Sequence, residues 1–186
     1  MDIKTMDQGL FKRNPNLTAE QFSTHWFTKH APLVIPFFLD LGIQHYEQVG
    51  LPSLPSLPFL PFLPFLYFLS LPKQLHGPLT TASPTFTALA ITHDGAAGMP
   101  SPSDLANFPP PSLAKWKLDY YREVILVDER RFLVSEALEH VHRVPPMTVQ
   151  GERKVVICEG RCLIDVPESV WEVWRGYEAR GTVESE

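Results

Sequence analysis

The sequence predicts a mixed fold of helices and strands in one domain, and three observations predict it. Thr18-Ala19-Glu20-Gln21 is a capping box that opens a helix pattern, and the strand-like run 43–49 follows it. Residues 85–92, Thr-Phe-Thr-Ala-Leu-Ala-Ile-Thr, form the strongest strand pattern of the chain, and a helix pattern starts at Ser112. Residues 154–159 and 161–164 flank Glu159-Gly160 as a hairpin, ahead of a terminal helix pattern over 168–178. The length of 186 residues (21.1 kDa) suits one domain, and 44% hydrophobic against 20% charged residues supplies a core.

Each element has a local reason. Residues 3–12 read as a first strand, weakened by Asp7, Gln8 and Gly9. Asn14-Pro15-Asn16 is turn chemistry, so the helix begins near residue 19. Phe22, Trp26, His30 and Leu33 then share one helix face, and Pro32 predicts a bend near Ala31. Gly42 ends that helix. In the strand 43–49, Tyr46 and Gln48 face one side and His45 and Glu47 the other. His93-Asp94-Gly95 ends the strand 85–92 or turns a tight corner. Ser112 caps a helix running to about Val124, with Leu113, Trp116, Tyr120 and Val124 on one side; Asp128-Glu129 precedes Phe132 and a short apolar stretch. Pro167 sits in the first turn of the last helix, where Val170, Trp174 and Tyr177 align.

Composition excludes several classes. A net charge of −5 and a pI near 5.8 argue against nucleic acid as the partner. Two cysteines, Cys158 and Cys162, make neither a disulfide framework nor a four-thiolate zinc site; reduced, buried thiols are the expectation. Residues 1–9 lack the apolar run of a signal peptide, so a soluble cytoplasmic protein is expected.

Proline divides the chain. Of its 19 prolines, 13 lie between Pro52 and Pro111. The 22 residues of 51–72 carry no charge, as a membrane span would. Proline recurs at every third position from Pro52 to Pro64, and each costs roughly 3 kcal/mol in a helix interior, so no membrane span is expected. The period fits polyproline II. The segment reads as a passive insertion, a sticky loop against a partner, or a membrane-contacting loop. The organisation predicted is one domain over 1–150, with a proline-rich insertion at 51–84, and an extension over 151–186.

The block Phe11-Lys12-Arg13-Asn14-Pro15-Asn16-Leu17-Thr18-Ala19-Glu20-Gln21-Phe22, then His25-Trp26 and His30-Ala31-Pro32-Leu33, resembles the opening of EthD-type domains. The resemblance continues in His45-Tyr46-Glu47-Gln48-Val49, Asp94-Gly95-Ala96-Ala97 and Asp128-Glu129 before Phe132. Residues 153–164 resemble the tail of fungal members found with polyketide biosynthetic enzymes. The chain departs from the pattern where Gly50 stands in place of a histidine, where Gly98 stands in place of an acidic residue, and where the proline-rich insertion separates two strands.

The resemblance implies a ferredoxin-like α+β domain that pairs with a second copy as a dimeric α/β barrel. It implies a tailoring enzyme without metal or organic cofactor, acting on an aromatic polyketide by lyase chemistry, decarboxylation or dehydration. The alternatives are a cofactor-free oxidoreductase acting on an anthrone and a non-catalytic polyketide-binding relative.

The residues fit that chemistry in different degrees. His30 is either a satisfied core histidine or a proton-transfer group, since an unperturbed imidazole titrates at about 6.5. Loss of CO2 from a β-keto acid passes through an enolate, which needs a donor at the ketone oxygen. His30 and Tyr46 are suitable donors, Gln48 can orient substrate, and Trp26 and Phe22 share the face of His30. Asp94 either holds an imidazole in one tautomer or caps a turn. In a strand, His140 and His142 would point the same way, with Glu139 opposite, which makes a poor metal set.

Overall fold

The computed structural model describes residues 6–50, 93–98, 113–149 and 151–183. The run 51–72, the strand expected at 85–92 and the Ser112 cap lie outside these residues.

The described strands form one antiparallel sheet, and with its helices the chain is an α+β protein. The strands are β1 (Gln8–Phe11), β2 (His45–Gly50), β3 (Gly95–Gly98), β4 (His142–Val144), β5 (Glu152–Cys158) and β6 (Arg161–Cys162), in the order β4-β1-β3-β2-β5-β6. Alternation sends Phe11, Ala97 and Tyr46 to the face that packs with the helices. Leu10, Ala96 and Val49 go to the other face, where they form a second buried cluster with Val144 and Val149.

The first helical run is α1 (Ala19–His25), a π-helical turn at Trp26–His30, and α2 (Ala31–Asp40). It starts as the capping box predicts: the Gln21 amide N–H donates to Thr18 Oγ1 at 3.1 Å, and Thr18 N–H donates to Gln21 Oε1 at 2.8 Å. It ends where Gly42 adopts φ +73°. Near Ala31 the backbone stays helical, and the irregularity takes the form of the π turn, closed by Ala31 N–H to Trp26 O.

The second run is α3 (Lys115–Tyr120), a π turn at Tyr121–Ile125, and α4 (Leu126–Phe132). It passes the end expected near Val124, because no Gly or Pro interrupts 125–132 and Leu126 and Phe132 continue the buried stripe. Asp128 and Glu129 are therefore helical. Next, α5 (Ala137–His140) separates His140 from His142, which belongs to β4, so the two imidazoles do not share a strand face.

Gly95 to Gly98 is an inner strand between β1 and β2, so Gly95 opens a strand rather than turning a tight corner. A Cβ on Gly95 would lie 2.5 Å from Trp26 Cζ3, and one on Gly98 would lie 2.5 Å from Glu47 Cγ. Large side chains cross both faces of this strand, so its small residues serve close packing. At Gly50, by contrast, a Cβ would meet nothing nearer than Ser23 Oγ at 3.9 Å.

The extension joins the same sheet. β5 pairs with β2, and β5 turns into β6 through Glu159 (φ +51°) and Gly160 (φ +69°), the expected hairpin. Cys158 and Cys162 are free and half-buried. The last helix, α6 (Glu168–Val183), sets Trp174 edge-on against Trp116 and Tyr120, each at 4.9 Å between ring centroids. Among the described residues no helix is long and apolar enough to cross a membrane.

Candidate active site

A cleft opens between the helix-bearing face of the sheet and the two π turns. Phe11, Ala97 and Tyr46 line it from the strands, and Trp26, His30 and Tyr121 line it from the π turns. Its wall is mostly apolar, which magnifies any charge set within it. π turns displace side chains from the regular helical stripe, and here both do so into one space.

His30 is buried, and its Nδ1 lies 3.0 Å from Oδ2 of Asp128 on α4. That bond leaves Nε2 as the nitrogen for the cleft. Asp128 also takes His25, whose Nε2 is 3.0 Å from Oδ1, and the Arg131 guanidinium stands 3.7 Å away. Phe132 stacks on His25 at 5.1 Å and leans on His30 at 4.8 Å, which fixes both rings. Burial pushes the Asp128 carboxyl up, but the hydrogen bond and charge of His30, then His25, outweigh it, and the group sits below the ordinary carboxylate range.

Tyr46 faces His30's side of the sheet. Burial pushes its phenol up to about 12, against hydrogen bonds from Gln48 and Trp26 that pull it back. The hydroxyl therefore stays protonated and available as a donor. The Gln48 amide donates to the Tyr46 hydroxyl and to the Trp26 carbonyl, both at 3.2 Å. Gln48 thus ties the first π turn to β2 and holds the phenol, and it does not itself line the cleft.

Phe22 is a core residue behind the cleft, packed on Trp26 at 5.4 Å and on Phe132 at 5.8 Å. Asp94 serves the turn. Its carboxylate accepts from the Arg13 amide at 3.1 Å and from Arg13 Nε at 2.8 Å, while its own N–H donates to Phe11 O. Asp128 fills the imidazole-holding place that the sequence offered to Asp94. His140 is engaged by Ser135 Oγ at 2.9 Å and by the Lys12 amide at 3.3 Å, and burial holds it below the ordinary imidazole value.

Two cleft groups went unassigned in the sequence. Arg143, from β4, brings a cation to the lining. Glu129, on α4, is buried, and its Oε2 accepts the Ala137 amide at 2.7 Å. Burial pushes its carboxyl above the ordinary range, while the charge of His30 pulls it down. A buried carboxylate partner such as Asp128 leaves one sequence signal, an acidic pair inside an apolar helical stripe. The distance between that pair and the histidines hides the connection.

The fold and the cleft define the class: a small α+β protein that gathers titratable side chains around an apolar cleft. The EthD domain model matches residues 14–136, and the chain belongs to that family. No curated protein and no solved structure matches the chain.

Proposed function

We propose that this chain is a cytoplasmic, cofactor-independent tailoring enzyme of aromatic polyketides. Its reaction is that of a lyase, decarboxylating or dehydrating a polycyclic β-keto or aromatic acid. The observation that carries the reading is His30: an imidazole fixed by a carboxylate at 3.0 Å, with its second nitrogen left to an apolar cleft.

In decarboxylation the bond to the carboxyl carbon breaks and CO2 leaves. The electron pair moves onto the ketone oxygen, and the donors His30 and Tyr46 stabilise it there. Trp26 and Phe11 offer flat apolar surface to the rings, and Arg143 offers a cation toward which a substrate carboxylate can orient. Purified protein, incubated with an aromatic β-keto acid and read by mass spectrometry, tests this. Loss of CO2 is expected. Loss of water assigns dehydration, and exchange of two hydrogens for one oxygen on an anthrone assigns oxidation. An unchanged but bound ligand assigns a binder.

The order β4-β1-β3-β2 supports a ferredoxin-like core, and with it a two-fold dimer forming an α/β barrel. Sedimentation at micromolar concentration is expected to give twice the 21.1 kDa chain mass.

A further inference from the structure

We propose that Glu129 is a second proton-transfer residue of the cleft, so that a bound ketone meets the His30 imidazole at its oxygen and the Glu129 carboxyl at the neighbouring carbon. This rests on the reading of the cleft as a site for aromatic ketones.

The geometry separates two adjacent acids by role. Asp128 and Glu129 are consecutive on α4, which turns them about a third of a revolution apart. Asp128 is committed to the two imidazoles. Glu129 turns to the cleft and lines it beside His30. The Ala137 amide fixes Oε2, which sets the carboxyl plane. Oε1 is the oxygen this bond leaves to the cleft that Glu129 lines. A residue that only capped α5 would not need to face ligand space.

The charges around the carboxyl come from every neighbouring element. His30 comes from the first π turn, Tyr46 from β2 and Tyr121 from the second π turn; Asp128 and Glu136 flank it along the chain, and Asp7 and Arg143 share the cleft lining. Burial favours the neutral acid and His30 favours the anion. A carboxyl raised by burial and set beside an imidazole is better matched to giving and taking a proton than a solvated one.

The step balances without a co-reactant. In enolisation the Glu129 carboxylate removes the proton on the carbon beside the carbonyl. The C–H pair becomes the new C=C bond, and the carbonyl oxygen takes the Nε2 proton of the His30 imidazolium, which is left neutral with its Nδ1 proton on the Asp128 side. In decarboxylation CO2 leaves, and protonated Glu129 gives its proton to that same carbon; solvent then restores the carboxyl proton.

The aromatic ketone 1-tetralone in D2O is the probe, because it enolises at the methylene carbon beside its carbonyl without carrying a carboxyl group to lose. Binding is read by tryptophan fluorescence and exchange at that methylene carbon by NMR. Glu129→Gln keeps an oxygen for the Ala137 amide but cannot carry the proton. The folded variant is expected to bind 1-tetralone like the wild type and to exchange it slower by roughly 10²–10⁴-fold, with Glu129→Asp recovering part of the rate. A Gln variant that exchanges at the wild-type rate overturns the assignment. If that variant does not fold, the wild-type rate decides, since it must climb with pH through the Glu129 midpoint, and a flat profile overturns the assignment. If 1-tetralone does not bind, the ligand reading fails separately, and a carboxyl-carbon NMR titration decides Glu129. A midpoint above ordinary glutamate that rises further in His30→Gln supports the role, and an ordinary midpoint overturns it.

Discussion

His30 and Asp128 lie 98 positions apart in sequence and meet at 3.0 Å, and the same carboxylate holds His25. In a regular α-helix two residues five positions apart diverge by more than a third of a turn. The π turn at Trp26–His30 removes that divergence, so both rings reach one carboxylate. The relationship fixes the ring of His30 and leaves one defined nitrogen for the cleft, as the proposed donor role requires.

His30→Gln tests that role. The substituted amide can still donate to Asp128, so the fold should survive, with a change in unfolding free energy below about 2 kcal/mol. Turnover of an aromatic β-keto acid should fall by roughly 10²–10⁴. Equal turnover in a folded variant would transfer the donor role to Tyr46, whose phenol also stays protonated in the cleft.

Asp128→Asn tests the carboxylate. An amide carries no charge to hold the imidazolium that donates from Nε2, and turnover should drop by roughly 10²-fold or more while anthrone binding persists. Stability offers a second readout. The Asp128 carboxyl sits below its ordinary value of 3.8, so it stabilises the fold above that pH and loses the contribution as pH falls through the lower folded value. Acid unfolding of the wild type should therefore steepen below that point, and the Asn variant should show a flatter acid limb in circular dichroism.

Much of the frame was legible in sequence because it rests on local signals. The Thr18 capping box, the Gly42 stop, the β2 alternation and the Glu159-Gly160 hairpin all stand where their chemistry places them. The misreadings concern tertiary causes. His93-Asp94-Gly95 offers a strand end or a tight corner, whereas Gly95 opens β3, whose two faces meet Trp26 and Glu47. Asp94 resembles an imidazole partner until Arg13 is found on it. Asp128 and Glu129 read in sequence only as an acidic pair before Phe132, and the fold, whose π turns leave no periodic signature, buries both.

Gly95→Val tests the reading of β3 as a close-packed strand. The position has no positive φ, so backbone conformation is no obstacle; the obstacle is the Trp26 ring, 2.5 Å from the new Cβ, with Phe22 at 3.1 Å. Overpacking of this kind costs about 1–3 kcal/mol. Because Trp26 also lines the cleft, anthrone affinity should fall together with the denaturation midpoint. A variant as stable as the wild type would show that the strand has room to spare.

On the opposite face of the sheet, Glu47 is buried against Arg153 from β5, with His45 Nε2 3.6 Å from its second oxygen. That separation is too long for a good hydrogen bond, and both of those atoms lack partners among the described residues. Arg153 is therefore the chief compensation for a buried carboxylate. Arg153→Ala should destabilise the protein by about 3 kcal/mol, since it strands the charge in the sheet. Glu47→Gln combined with Arg153→Met removes the charge and its partner together, and chemical denaturation should place it well above the single Arg153 variant. The ordering of the two midpoints is the decisive result. A double variant no more stable than the single one would mean that Glu47 contributes packing through its stem against Gly98 rather than a paired charge.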